Sequence, residues 1–204
     1  MVDSGIFPAH AHVGSVAGGV FIGQFGDEGD YVDRLGHGTA VAGAIREKLP
    51  EAELYAVKVF DRRLTVHTDI IFRAFEWCLR HNMDAINLSL GSKNEEHSEG
   101  YRNFLRAARE RGVLVVSAGN MFPGCLEGAI GAWPDYECPR DHYRVEEGRY
   151  YASGYPRPLP GLPMTANLQG VSFAVANLTG LLLRERIEAQ QSASASTETA
   201  EARP

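Results

Sequence analysis

Between residues 37 and 117 the hydrophobic pattern alternates between a helical period and short apolar runs, and this alternation strongly constrains the fold. Helices are predicted at 37–49, 68–81 and 98–111, and strands at 53–60, 84–90 and 113–117. The last of these strands is almost wholly apolar, as expected when both faces of a sheet are covered. Repeated helix–strand alternation favours an α/β fold in which a mainly parallel sheet is flanked by helices.

The rest of the chain is less regular. Proline and glycine recur over 120–169, which predicts loops and short strands there. A helix is predicted over 172–188, and its first turns are nearly all apolar, so we expect it to be buried. Residues 189–204 contain no large apolar side chain, and we expect a disordered tail. The chain is therefore divided into one domain, 1–188, and that tail.

Composition argues against several classes of function. The net charge is −6, with 26 acidic and 20 basic residues, which is unlike a nucleic-acid-binding protein. No apolar run is long enough to span a membrane, and the first residues lack the pattern of a secretion signal, so a cytoplasmic location is expected.

Cys78, Cys125 and Cys138 are too few for a disulfide framework, and free thiols are expected. His10 and His12 have no evident third ligand, so we expect surface histidines and no metal site.

Three short segments each place one member of an Asp, His, Ser set beside glycine. They are Val2-Asp3-Ser4-Gly5, Gly36-His37-Gly38-Thr39-Ala40-Val41-Ala42-Gly43 and Gly170-Val171-Ser172-Phe173-Ala174. A serine hydroxyl is a poor nucleophile until an imidazole accepts its proton, and a carboxylate fixes the tautomer of that imidazole. Asp3, His37 and Ser172 are therefore candidate catalytic residues. Asn120 follows the apolar strand, and its amide is a candidate donor to an oxyanion, together with the N–H of Ser172.

These segments resemble the motifs of the subtilisin-like serine proteases (subtilases, peptidase family S8), which run Asp-Ser/Thr-Gly, His-Gly-Thr-x-Val-Ala-Gly and Gly-Thr-Ser-x-Ala. Successive candidate residues are 34, 83 and 52 positions apart, and the order Asp, His, Ser is that of subtilisin. The resemblance covers 1–120 and 168–185. It implies a three-layer subtilisin-like fold and a serine endopeptidase that acts through an acyl-enzyme on a peptide or protein, without a cofactor.

The resemblance also implies a role for each site residue. Asp3 would orient the imidazole, His37 would act as general base and then acid, Ser172 would be the nucleophile, and Asn120 would donate to the oxyanion. A substrate peptide would lie extended between two strand ends, formed by Ser89, Leu90 and Gly91 and by Ser117, Ala118 and Gly119. The loop that binds calcium in many relatives is missing after the histidine helix, so no metal site is implied.

The sequence departs from the family pattern at two further places. Only Met1 and Val2 precede Asp3, so we expect a truncated first strand that holds Asp3 loosely. Val171 and Ala176 replace the usual threonine and proline of the serine motif. A catalytically silent relative that binds extended peptides is therefore the alternative function. A nucleotide-binding α/β protein is a third hypothesis, but neither phosphate-binding glycine motif is present. Cleavage specificity and oligomeric state stay open.

Overall fold

The computed structural model describes the backbone of residues 1–24 and 26–201 and the side-chain environments through residue 194. Within these residues there are four α-helices and one nine-stranded sheet. The helices are α1 (His37–Lys48), α2 (Thr68–Arg80), α3 (Ser98–Glu110) and α4 (Val171–Glu201). The strands are β1 (Val2–Asp3), β2 (Gly18–Gly23), β3 (Gly26–Glu28), β4 (Tyr55–Lys58), β5 (Ala85–Leu88), β6 (Leu114–Ala118), β7 (Ile130–Asp135), β8 (Tyr143–Glu146) and β9 (Arg149–Ser153).

The strands lie in the order β3-β2-β4-β1-β5-β6-β7-β9-β8. All pairings between the inner strands are parallel, and antiparallel hairpins form the two edges, where β3 pairs with β2 and β8 with β9. Helices α1 and α4 pack together on one face, and α2 and α3 pack together on the other. The predicted three-layer α/β fold with a mainly parallel sheet is confirmed.

Helices α2 and α3 are amphipathic, and the apolar stripes predicted from their periodicity are the buried faces. The stripe of α3 buries Tyr101, Phe104 and Leu105. Phe75 of α2 stacks on Phe104, with ring centroids 3.7 Å apart. Aromatic packing of this kind fills the larger core cluster between these helices and the sheet.

Strand β1 is two residues long, yet it lies inside the sheet, between β4 and β5. Val2 pairs with Val57 of β4 on one side and with Leu88 of β5 on the other. Asp3 is fully buried, and its carbonyl oxygen accepts the backbone N–H of Val59 at 2.8 Å. The expectation that a short first strand would hold Asp3 loosely is therefore wrong, because neighbours on both sides fix the strand.

The structure differs from the sequence prediction in two further places. Strands β2 and β3 were not predicted, and β7 to β9 extend the sheet through the region predicted as loops and short strands. Helix α4 continues to Glu201, where the sequence predicts a disordered tail from 189. Extending an already packed helix needs no new nucleation, and alanine, glutamine and glutamate favour it. Of the predicted tail, 202–204 lie outside the described residues. None of the helices described is long and apolar enough to cross a bilayer.

Candidate active site

The carboxyl ends of the central parallel strands meet at one edge of the sheet, and the predicted site residues gather there. Asp3 is the last residue of β1, and Asn120 lies in the turn after β6. His37 begins α1, and Ser172 lies in the first turn of α4. Open α/β sheets form their sites at this edge, which is the arrangement that the predicted parallel sheet requires.

The buried Asp3 and the partly buried His37 form a hydrogen-bonded pair. The Nδ1 of His37 lies 2.7 Å from Oδ1 of Asp3, and the same oxygen accepts the backbone N–H of Ser4 at 2.7 Å. Among the described residues Oδ2 of Asp3 has no partner. Because its Nδ1 faces a carboxylate, His37 keeps its Nε2 available to a third group.

The electrostatic surroundings favour the charged form of His37. The side chain is only 18% exposed, and burial opposes the imidazolium. The hydrogen bond to Asp3 and its charge, with a further contribution from the charge of Asp33, outweigh that cost and raise the pKa of His37 above its ordinary value. An imidazole that gains a proton readily suits a general base that must later act as an acid.

Glycine at two positions allows the Asp3 loop to lie directly against α1. A Cβ on Gly38 would collide with the carbonyl oxygen of Gly5, and Gly5 has a φ of +101°. The backbone N–H of Gly38 donates to Oγ of Ser4 at 2.9 Å. These contacts bring the loop and the helix close enough for the Asp3–His37 pair to form.

A second carboxylate, that of Asp33, holds the Asp3 loop and α1 together. Asp33 was not among the site residues predicted from the sequence. Its Oδ1 accepts the hydroxyl of Ser4 at 2.9 Å and the N–H groups of Leu35 and Gly36 at 2.8 and 3.0 Å. Its Oδ2 accepts the N–H and the hydroxyl of Thr39 at 2.8 and 2.6 Å. Asp33 is 8% exposed, and five donors satisfy its oxygens.

A sequence signal for this role was present. An aspartate shortly before the first residue of a helix typically accepts the free N–H groups of the first turn. Asp33 stands four positions before His37, and its bond to Thr39 is of this kind. The bond to Ser4 has no counterpart in the local sequence, because the two residues are 29 positions apart.

Ser172 lies at the same edge but is not yet bonded to the imidazole. Its Oγ donates to the carbonyl oxygen of Ser89 at 3.3 Å. Within the described residues no hydrogen bond joins Ser172 to His37. The ring of Phe173, the next residue, lies 5.7 Å from the His37 ring, measured between centroids. Serine has a single side-chain torsion that moves Oγ, so a rotation about that bond would redirect the hydroxyl.

Asn120 has the freedom that an oxyanion donor needs. It lies in a turn after β6 and is exposed. Its side-chain amide makes no hydrogen bond to any of the residues that the structure describes. The donor is therefore available to a ligand at this edge of the sheet.

The six residues predicted to bind a peptide differ in access. Ser117 is fully buried, pairs with Leu88 and Gly131, and donates its hydroxyl to the carbonyl oxygen of Leu90 at 3.4 Å. Ala118 and Leu90 are also buried, at 1% and 8% exposure. The residues that keep partial exposure are Ser89, Gly91 and Gly119. A strand that is already paired on both sides has no free edge, so contact at Ser117 is closed to a peptide.

The two histidines considered for a metal lie in the loop after β1. The rings of His10 and His12 meet edge to face, with centroids 5.0 Å apart. Among the residues described, no three His, Cys, Asp or Glu side chains are placed to hold a metal ion. Cys78, Cys125 and Cys138 are free thiols.

Sequence comparison relates residues 3–135 to the Subtilase family. The chain is 35% identical over 127 residues to Minor extracellular protease Epr of Bacillus subtilis, covering 58% of this chain and 19% of that protein. It is 42% identical over 104 residues to Alkaline protease 1 of Aspergillus clavatus, covering 45% and 25%. It is 32% identical over 127 residues to Subtilisin E of Bacillus subtilis, covering 58% and 32%. The chain thus spans a third or less of the length of these relatives.

Solved structures extend the similarity of fold to most of the chain. A lanthipeptide protease superimposes with a TM-score of 0.66 at 16% identity, covering 88% of this chain and 69% of that one. The prenylagaramide maturation protease PagA gives 0.64 at 21% identity, covering 93% and 76%. The matched family region contains Asp3, His37 and Asn120 but ends before Ser172.

Proposed function

Because the chain belongs to the Subtilase family, we propose that it is a serine endopeptidase that hydrolyses peptide bonds through an acyl-enzyme on Ser172. The observation that carries this proposal is the 2.7 Å bond between His37 and the buried Asp3, at the sheet edge where Ser172 lies in the first turn of α4. A carboxylate–imidazole pair beside a serine hydroxyl is the arrangement that activates this nucleophile.

The proposed reaction uses the free face of the imidazole. The hydroxyl of Ser172 leaves the carbonyl oxygen of Ser89 and turns towards Nε2 of His37, which accepts its proton as Oγ attacks the substrate carbonyl carbon. The side-chain amide of Asn120 and the N–H of Ser172 donate to the oxyanion. The imidazolium, stabilised by Asp3, then protonates the leaving amine. Water activated by the same imidazole hydrolyses the ester and regenerates the serine.

The proposed substrate is a peptide or protein bound in an extended conformation. The partly exposed residues Ser89, Gly91 and Gly119 would contact the segment before the scissile bond through their backbone. Backbone pairing of this kind tolerates many side chains, so preference must come from pockets beside the strand ends.

A fluorophosphonate probe tests the proposal without a known substrate. An activated serine displaces fluoride from phosphorus, and mass mapping locates the new Oγ–P bond. We expect the label on Ser172, and its loss in Ser172→Ala and in His37→Gln. Ser98→Ala is the matched control, because Ser98 lies in the first turn of α3 as Ser172 lies in the first turn of α4, and this variant should label like the wild type. Circular dichroism verifies that each variant is folded.

A silent protein that binds extended peptides is the second candidate function, and one observation favours it. The hydroxyl of Ser172 is bonded to Ser89 at 3.3 Å instead of to the imidazole. Folded wild-type protein that stays unlabelled while it binds extended peptides would overturn the peptidase proposal in favour of this one.

A further inference from the structure

A cavity of about 340 Å³ adjoins the first turn of the histidine helix and the segment shortly before Ser172. Gly36 and Thr39, which flank His37 in sequence, form one wall, and Asn167 and Leu168, shortly before Ser172, form another. None of the six residues predicted to bind the acyl segment lines it. In a serine peptidase the imidazole delivers its proton to the leaving amine. A cavity that adjoins both catalytic segments, and that the six strand-end residues do not line, is therefore a candidate for the segment that leaves. We call it the leaving-side pocket.

Among the described residues that line this pocket, Arg157 is a cation without an acidic partner. It is half-buried, and its Nη1 donates to the carbonyl oxygen of His12 at a long 3.5 Å. Among the described residues it makes no ion pair. The side chain of Asn167 donates to its carbonyl oxygen at 3.3 Å and so fixes the backbone that carries it. A guanidinium with most of its donors unused is ready to receive a carboxylate.

The other charged groups around the pocket already have partners. Asp33 accepts five hydrogen bonds from the loop and the helix described above. Arg34, on the rim, is paired with Asp30 at 2.7 Å. Glu47 receives both Nη groups of Arg140 at 2.5 and 2.6 Å. No carboxylate among these is free to neutralise the pocket's guanidinium.

The remaining lining is largely apolar. Phe7, Leu159 and Leu168 are exposed, at 46%, 38% and 49%. Burial is the largest cause that lowers the pKa of His12, and the neighbouring charge of Arg157 lowers it further, whereas Glu47 raises it. An apolar wall with one uncompensated cation fits a side chain that has a short apolar stem and an anionic end.

We propose that the leaving-side pocket binds an aspartate or glutamate side chain of the substrate segment that leaves, and that Arg157 selects it. This inference rests on the proposed function, since a leaving segment exists only in a peptidase. It adds a preference that backbone pairing at the strand ends does not provide. The binding event itself needs no catalysis, so it can be measured separately.

Two assays test the pocket. Internally quenched peptides of mixed sequence, with Glu, Gln or Lys at the two positions after the scissile bond, give kcat/KM for the active protein. The same peptides, labelled with fluorescein, give binding to Ser172→Ala by anisotropy. We expect Glu to exceed Gln about fivefold in both assays, the size expected for a partly exposed charge pair, and Lys to be poorest. Glu placed before the scissile bond should give no preference.

Substitution at Arg157 tests whether this residue causes the preference for Glu over Gln. Arg157→Gln should bring the Glu-to-Gln ratio close to one by weakening the Glu peptide, and Arg157→Glu should reverse the order in favour of Lys. Arg102→Gln is the control, because it removes an equal charge from an exposed site on α3. An equal preference in wild type and Arg157→Gln, or none in either, overturns the inference. Failure of the proposed function would give a different result from failure of this inference. The wild type would then show no fluorophosphonate labelling and no cleavage, while the preference for Glu in binding to Ser172→Ala would persist.

Discussion

Asp33 acts on the chemistry through its neighbours, so we regard it as a positioning residue. In Asp33→Asn one acceptor oxygen becomes a donor that faces N–H groups, and a charge that raises the pKa of His37 is lost. We expect about a tenfold slower rate of fluorophosphonate labelling and a loss of roughly 1–3 kcal/mol in the free energy of unfolding, as for an unsatisfied buried polar group. The acid limb of the labelling rate should also move to lower pH.

The pH shift separates positioning from mere destabilisation. Asp30→Asn removes an exposed carboxylate of the same loop, which is paired with Arg34, and should change neither the labelling rate nor its pH profile. Lower stability with an unchanged rate and an unchanged limb would assign Asp33 a purely structural role.

The pair of Asp3 and His37 predicts opposite pH trends for reactivity and stability. Because the folded pKa of His37 lies above its ordinary 6.5, the pair stabilises the fold fully below pH 6.5, and this contribution is lost as pH rises through the folded pKa. Labelling requires the neutral imidazole, so its rate should rise over the same window. Melting temperature and labelling rate, each measured between pH 5 and about 9, provide the comparison.

Removal of the carboxylate tests both trends. In Asp3→Asn the acid limb should fall to lower pH, and the pH dependence of the melting temperature should shrink. If Asp3 acts as proposed, the limiting rate should fall about 10⁴-fold, as it does for the carboxylate of a catalytic triad. An acid limb that stays in place would show that another group controls the titration.

Local sequence predicted the individual site residues well and their partners poorly. Asp3, His37, Ser172 and Asn120 each lie in a short motif that is visible without a structure. The bond from Ser4 to Asp33, and that from Ser172 to Ser89, join residues 29 and 83 positions apart. Such contacts depend on which strands become neighbours, and a local pattern does not encode strand order.

At the level of elements, α1 and α4 pack through small residues. A Cβ on Gly180 of α4 would lie 2.7 Å from Cβ of Lys48 on α1, which is part of a helix and has little freedom to move. Gly180→Ala gains helix propensity of about 1 kcal/mol, but we expect overpacking to outweigh it and lower the free energy of unfolding by roughly 1–2 kcal/mol. Urea denaturation measures the change.

A substitution on the exposed part of the same helix is the control. Gln191→Ala, whose side chain is exposed, should leave stability within about 0.5 kcal/mol. A more stable Gly180→Ala would mean that the two helices separate easily and that propensity dominates at this contact.

Elements with a strong hydrophobic period could be predicted from the sequence. Elements that form only because they pair with neighbouring strands could not. Helices α1 to α3 begin at the predicted residues and end one residue early. Strand β2 was missed because three of its six residues are glycine, which disfavours a strand. A Cβ on Gly19 would collide with the carbonyl oxygen of Ala56 in β4. The close pairing of β2 with β4 therefore requires glycine, and that same glycine makes β2 hard to recognise as a strand from its sequence.

The whole molecule brings the site together through the centre of the sheet. Strand β1 carries Asp3 between β4 and β5, and β5 leads to Ser89, the partner of Ser172. The loop with Asp33 ties the same strand to α1. Asp3 therefore cannot move with its backbone without disturbing the pairings of β1 with β4 and β5, in contrast to sites built on peripheral loops, which open locally at low cost.

This architecture predicts that the site and the fold are lost together. Trp133 of β7 lies against Gly119, beside the predicted oxyanion residue, so its fluorescence reports the edge of the site, and Trp77→Phe makes it the only tryptophan. During urea unfolding we expect the labelling of Ser172, the fluorescence of Trp133 and the far-ultraviolet circular dichroism to share one midpoint, as in a two-state transition. Labelling that disappears at lower urea, while fluorescence and dichroism stay native, would show that the site comes apart before the rest of the fold. That result would contradict a site that is held in place by the pairing of β1 with β4 and β5.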